Sequence, residues 1–104
     1  MKEEIRKKHE RTARMFKALA HPTRVFVLEE LSKKEKCVCE LTALVGDDIT
    51  TVSKHLSVMK DAGILGSRKE QNRVFYYLKT PCALKFLKCA NEIGRKAPHS
   101  AVGG

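Results

Sequence analysis

After Gly63 the apolar residues stop recurring at helical spacing and begin to alternate, which divides the chain into a helical part followed by a β-hairpin. Upstream, Ile5, Ala13, Met15, Phe16 and Leu19 recur among Lys, Arg and Glu, predicting an amphipathic helix over Glu3–Leu19 that ends near His21-Pro22. Pro22 costs no hydrogen bond in a first helical turn, so a second helix is expected from Pro22 to about Ser32, with Val25, Leu28 and Leu31 on its inner face. A third, short helix should cover Val38–Val45 and stop at Gly46. Asp47 and Asp48 offer an N-cap for a fourth, Ile49–Ala62, which Gly63 ends.

The alternating runs ILGSRKE and RVFYYL meet near Gln71-Asn72, where Asn72 is expected to take a positive φ. Thr80-Pro81 then reads as cap and first residue of a last helix. There Cys82, Phe86, Cys89 and Ile93 fall on one stripe, an arrangement suited to dimerisation. The fold class is thus mainly α with a small β-hairpin, one domain over residues 1–96 and a flexible tail over 97–104.

The third and fourth helices, joined by a few residues with a glycine, have the spacing of a helix-turn-helix, and the hairpin behind them has the position of a wing. On the fourth helix Val52, Leu56 and Met59 share one face and would pack. Thr50, Thr51, Ser53, Lys54, His55 and Ser57 remain for DNA bases and phosphates. The net charge of +9 fits a polyanion partner, but residues 37–66 carry an acidic excess. Salt-dependent affinity is therefore assigned to the hairpin residues Arg68, Lys69 and Arg73 and to basic residues near the N-terminus. The partner expected is double-stranded DNA. No Walker loop, dinucleotide fingerprint or nucleophile motif is present, so an enzyme is not expected. The longest apolar run, Val74–Leu78, is far short of the roughly 20 residues that cross a membrane, and MKEEIRKKHE lacks the character of a secretory signal; a cytoplasmic protein is expected.

In that compartment the four cysteines are expected to stay reduced and to serve metal or redox chemistry. Cys37 and Cys39, two apart, would point about 200° apart on an ideal helix, so both could reach one ion only if the third helix opens at its first turn. Thiolates favour soft ions such as As(III), Sb(III), Cd(II), Pb(II) or Zn(II). Cys82 or Cys89 could add a third ligand, though not both to one ion, being separated by roughly 10.5 Å of helical rise; otherwise they fill a helix-packing stripe.

The stretches FKALAHPTRVFVLEEL, CVCEL, TTVSKHLSVMKDAGIL and SRKEQNRVFYYL together resemble, over roughly residues 12–93, the ArsR/SmtB family of metal-responsive winged helix-turn-helix repressors. The resemblance implies a homodimer held by its first and last helices, which releases a palindromic operator when inducer binds. It also implies a thiophilic-metal site at the C-x-C pair Cys37 and Cys39. The arsenic-sensor version may carry a third Cys where this chain has Thr42; the N-terminal cysteines of cadmium/lead sensors and the Asp and His pairs of zinc sensors are absent. Arsenite or antimonite is the first expectation for the inducer, with Cd, Pb or Zn next. A thiol-redox or persulfide-responsive repressor of the same fold is the second reading, and a constitutive DNA-binding protein the third. C-x-C spacing favours metal; cysteines split between helices favour redox.

Overall fold

The computed structural model describes residues 1–98; the remainder of the anticipated tail, residues 99–104, lies outside the described residues. Five helices and three short strands follow in the order α1 (Glu3–Leu19), α2 (Pro22–Lys33), β1 (Lys36–Cys37), α3 (Val38–Val45), α4 (Ile49–Asp61), β2 (Leu65–Glu70), β3 (Arg73–Leu78) and α5 (Ala83–Lys96). His21 caps α2 by accepting the Thr23 N–H at 3.1 Å on Nδ1, and Pro22 follows where no donor is needed. Gly46 ends α3 at φ 78°, a conformation a side chain would resist, and donates its N–H to the Thr42 carbonyl at 3.0 Å. This glycine lets α4 follow α3 with only three residues between them.

One core joins the helices to the sheet: Val27, Leu28 and Leu31 of α2, Leu41 of α3, Val52, Leu56 and Met59 of α4, and Ile64, Leu65, Tyr76 and Ala83 beyond. The inward face of α2 carries Leu28 and Leu31 as expected, but Val27 in place of Val25. Val27 is buried and Val25 exposed, because apolar residues surround the start of this helix and their spacing alone does not choose a side. On α1 the apolar residues divide likewise, with Met15, Ala18 and Leu19 against the core and Ile5 and Phe16 outside it.

Three corrections concern the sheet, its hairpin turn and the helix that follows. The sheet has three strands, in the order β1-β3-β2, because Lys36 and Cys37 pair antiparallel with Tyr76 and Phe75. The positive φ at the hairpin turn belongs to Gln71, at 56°, rather than to Asn72. Helix α5 begins at Ala83: Thr80 and Pro81 form turns whose carbonyls accept the Ala83 and Leu84 N–H groups, and neither side chain caps the helix. Within the hairpin, Arg68 stands opposite Phe75 and Gly66 opposite Tyr77. The Tyr77 ring lies so close over Gly66 that a Cβ there would sit 2.4 Å from the ring, so glycine is required unless the tyrosine moves.

Candidate DNA-binding face and cysteine pair

Asp48 organises the start of α4. Its carboxylate accepts the Thr51 backbone N–H at 2.8 Å and the Thr51 hydroxyl at 3.2 Å, and these bonds, led by the backbone one, hold its pKa below the usual carboxylate value. The Thr51 hydroxyl is thereby committed to the cap. Thr50, Lys54 and Ser57 are exposed and Ser53 half-exposed, and together with Ile49, Val58 and Arg24 they border one open groove. His55 departs from this face. It is half-buried on the flank toward α2, its ring 4.4 Å from that of His21 and its Nδ1 accepting from Arg24 Nε at 3.0 Å. Burial, followed by the neighbouring His21 and Arg24, pushes its pKa down.

On the hairpin, Lys69 and Arg73 are exposed cations, but Arg68 is held by two carboxylates, Glu35 before β1 and Glu70 on its own strand. Its guanidinium also lies 4.8 Å from the centre of the Phe75 ring, and the two acidic partners, Glu35 first, raise its pKa. The charge counted on for a phosphate is therefore locally balanced. At the base of the hairpin Lys60 of α4 donates to the Ser67 hydroxyl at 2.7 Å and ties the two elements together.

Cys37 and Cys39 lie between these two parts, and the structure corrects two expectations about them. They are joined in a disulfide, with Cα atoms 5.3 Å apart, rather than free. No helix has to open for the sulfurs to meet, because Cys37 stands outside α3 as its N-cap, with extended backbone at φ −77° and ψ 161°. A reciprocal cap is built on it: the Glu40 N–H donates to Cys37 Sγ at 3.3 Å, and the Cys37 N–H donates to Glu40 Oε1 at 3.1 Å. Cys37 is 1% exposed, whereas Cys39 is open to solvent. Through its backbone Cys37 pairs with Phe75, the residue beneath Arg68. One cysteine thus caps the first helix of the helix-turn-helix and closes the sheet that carries the wing.

Two sulfurs supply part of a soft-ion site. One helical turn after Cys39, the Thr42 hydroxyl is buried without a hydrogen-bond partner. Among the described residues no group of three or more His, Cys, Asp and Glu side chains gathers around a possible ion. Cys82 and Cys89 are free and exposed, Cys82 preceding α5 and Cys89 within it. On the same helix Phe86 meets Phe16 of α1, 58% exposed, with ring centres 6.2 Å apart, and Ile93 is 66% exposed. No helix among the described residues is long and apolar enough to cross a membrane.

Sequence reasoning missed Arg24, Glu35, Glu40 and Ile49. Glu35 meets Arg68 and Arg24 meets His55 from distant parts of the chain, and only the spacing of Glu40 three residues after Cys37 could have signalled the cap.

Residues 21–67 match the model of bacterial regulatory proteins of the arsR family. A HTH-type transcriptional regulator of Methanocaldococcus jannaschii is 34% identical over 87 residues, covering 83% of this chain and 98% of that protein. A homologue of the cadmium resistance transcriptional regulatory protein CadC from Staphylococcus aureus is 40% identical over 67 residues, 64% of this chain and 55% of that one. The homodimeric winged helix-turn-helix DNA-binding domain of a possible ArsR-family regulator from Mycobacterium bovis superposes with a TM-score of 0.80 at 23% identity, covering 92% of this chain and 89% of that one.

Proposed function

Because the chain belongs to the ArsR family of bacterial regulatory proteins, we propose that it is a homodimeric transcriptional repressor whose hold on operator DNA is set by the Cys37–Cys39 pair. The observation that carries this reading is the position of Cys37, which caps α3 with its sulfur and pairs with the wing strand through its backbone. The exposed α4 residues Thr50, Lys54 and Ser57, with Ser53, enter the major groove, and Lys69 and Arg73 reach flanking phosphates. The apolar residues Ile5, Phe16 and Ile93, left uncovered on α1 and α5, support a second copy of the chain as the partner that buries them.

The inducer is a thiophilic metal or metalloid, arsenite or antimonite first and Cd, Pb or Zn next, which Cys37 and Cys39 would hold as thiolates once a thiol reductant has opened the disulfide between them. Such an ion supplies soft Lewis acidity that draws sulfur lone pairs. What this chain does in response follows from its own contacts. Cys37 Sγ accepts the Glu40 N–H while bonded to Cys39; an ion that drew this sulfur out of line with that N–H would weaken the cap, and α3, which packs against α4 and β1, would lose order at its start. A coupling of about 1–3 kcal/mol, of the same order as one cap, changes DNA affinity by roughly 5–150-fold. Cys82 or Cys89 contributes a third sulfur only if the dimer or a movement of α5 brings it to the pair. A second reading, oxidation of the two thiols as the signal itself, is favoured by the disulfide between them.

The test is DNA binding by the reduced protein, followed by fluorescence anisotropy on a duplex selected from a random pool, with arsenite, antimonite, Cd, Pb, Zn and then polysulfide or disulfide oxidant added. Release by a metal or metalloid, lost in Cys37→Ser and Cys39→Ser, supports the first reading. Release by oxidant alone supports the second, and no release by any agent contradicts both.

A further inference from the structure

Arg24 is not among the residues that the helix-turn-helix pattern offers to DNA, yet it touches three elements at once. Its Nε donates to His55 Nδ1 of α4 at 3.0 Å and its Nη1 to the Ala18 carbonyl of α1 at 3.4 Å, while its backbone belongs to the first turn of α2. We infer that Arg24 is a positioning residue that fixes the recognition helix α4 against α1 and α2 through a neutral His55, so that protonation of His55 loosens the grip on DNA.

An arginine can only donate, so the bond requires a lone pair on His55 Nδ1 and leaves the imidazole proton on Nε2. The same holds for His21, whose Nδ1 accepts the Thr23 N–H while its ring lies against that of His55. Protonation of His55 turns its acceptor into a donor facing a guanidinium and adds a cation beside His21 and Arg24. Only Asp47, in the turn between α3 and α4, counts electrostatically in favour of the charged form. Of the other charged groups nearby, Arg14 and Lys17 of α1 and Asp61 of α4 border one groove that Arg24 lines, and Lys54 of α4 borders the other. Burial of the ring acts in the same direction, holding His55 neutral in the folded protein.

The sign is opposite to the usual one. Adding positive charge near a DNA face ordinarily strengthens binding as pH falls, since more phosphates are neutralised. Here the added charge removes the bond that holds the reading helix in place.

The inference rests on the DNA-binding reading, and its test separates the two. Affinity for a duplex selected by the wild-type protein is measured from about pH 8 to pH 5 for wild type, His55→Gln and Arg24→Ala. Glutamine offers an uncharged acceptor at every pH. Relative to its own value at pH 8, wild type should lose about tenfold more affinity at acid pH than His55→Gln, the size of effect expected for losing a hydrogen bond to a charged group. Arg24→Ala should be weaker at pH 8 and should show no acid loss relative to His55→Gln, since its His55 still gains a proton but has no arginine bond to lose. Parallel profiles for wild type and His55→Gln, or a wild-type affinity that gains on His55→Gln as pH falls, overturn it. Imidazole nitrogen NMR provides a readout without DNA: His55 should carry its proton on Nε2 at neutral pH, and this preference should relax in Arg24→Ala. A proton on Nδ1 overturns the pairing. Absence of DNA binding at every pH would instead refute the DNA-binding reading while the NMR result still decides the pairing.

Discussion

The two cysteines of the C-x-C pair should differ in what they contribute to the reduced protein. Removing Cys37 deletes a sulfur that caps α3 and is 1% exposed, whereas removing Cys39 deletes an exposed side chain on the first turn. Loss of an N-cap costs about 0.5–2 kcal/mol. The lost burial of the side chain, close to one methylene group in size, adds roughly 1 kcal/mol. Cys37→Ala should therefore destabilise by about 1.5–3 kcal/mol, and Cys39→Ala by less than about 0.5 kcal/mol, the usual range for a surface change. At about 4–8 °C per kcal/mol for a domain near this size, the gap is readable in thermal unfolding. Both variants and the wild type would be compared with excess reductant, so that the disulfide does not contribute, and at one protein concentration, since a dimer's stability depends on it. Cys37→Ser, which retains an acceptor at the cap, should recover part of the loss. Equal destabilisation by Cys37→Ala and Cys39→Ala would refute the assignment of the cap to Cys37.

Further outcomes follow from other contacts. Lys54→Ala and Lys69→Ala should weaken operator binding and each lower the salt slope by about one unit, while Arg68→Ala should do less because Glu35 and Glu70 already balance it; Glu35→Gln should strengthen binding, all read by anisotropy across a salt series. Gly46→Ala should cost about 1–2 kcal/mol through its positive φ, measured by urea unfolding. Thr42→Cys places a third thiol one turn after Cys39, where a buried hydroxyl has no partner, and should raise arsenite affinity in a competition titration; unchanged affinity would mean that this position does not face the pair. Stability should fall with acid below the ordinary carboxylate pKa as Asp48 gains a proton: its folded pKa is depressed, so its contribution is present above the unfolded value and lost as pH drops through the folded one. In Asp48→Asn that component should shrink, and an unchanged acid limb would count against the cap.

How much of this was legible in the sequence depended on whether a residue's role is local. The ends of α1, α3 and the start of α4 could be read because Pro22, Gly46 and Asp48 act within a few residues of themselves. The hairpin was legible because two six-residue runs flank the turn at Gln71-Asn72, although burial does not alternate along them: β2 passes steadily from buried Leu65 to exposed Glu70. Strand β1 was not, since two residues have no period and become a strand only when β3 lies beside them. The same limit hid the cap at Cys37: helical geometry was applied to a residue that precedes the helix, which made an opening of α3 appear necessary. The exposed face of α4 was placed correctly in outline. Its flank was not, because His55 meets Arg24 across 31 positions of sequence. Of the two partners of Arg68, Glu35 is 33 positions away and hidden for the corresponding reason, whereas Glu70, two residues along the same strand, was within reach of a local pattern.

The most direct measurement is a backbone NMR titration of the reduced protein on its selected duplex, following the amides of Glu40 and Phe75 together with the fraction of DNA bound as arsenite is added. If Cys37 links the sulfur pair to the DNA face, both amides should move and the duplex should dissociate at one common midpoint, with neither change in Cys37→Ser. Release of DNA while the Glu40 and Phe75 amides stay in place would contradict the link.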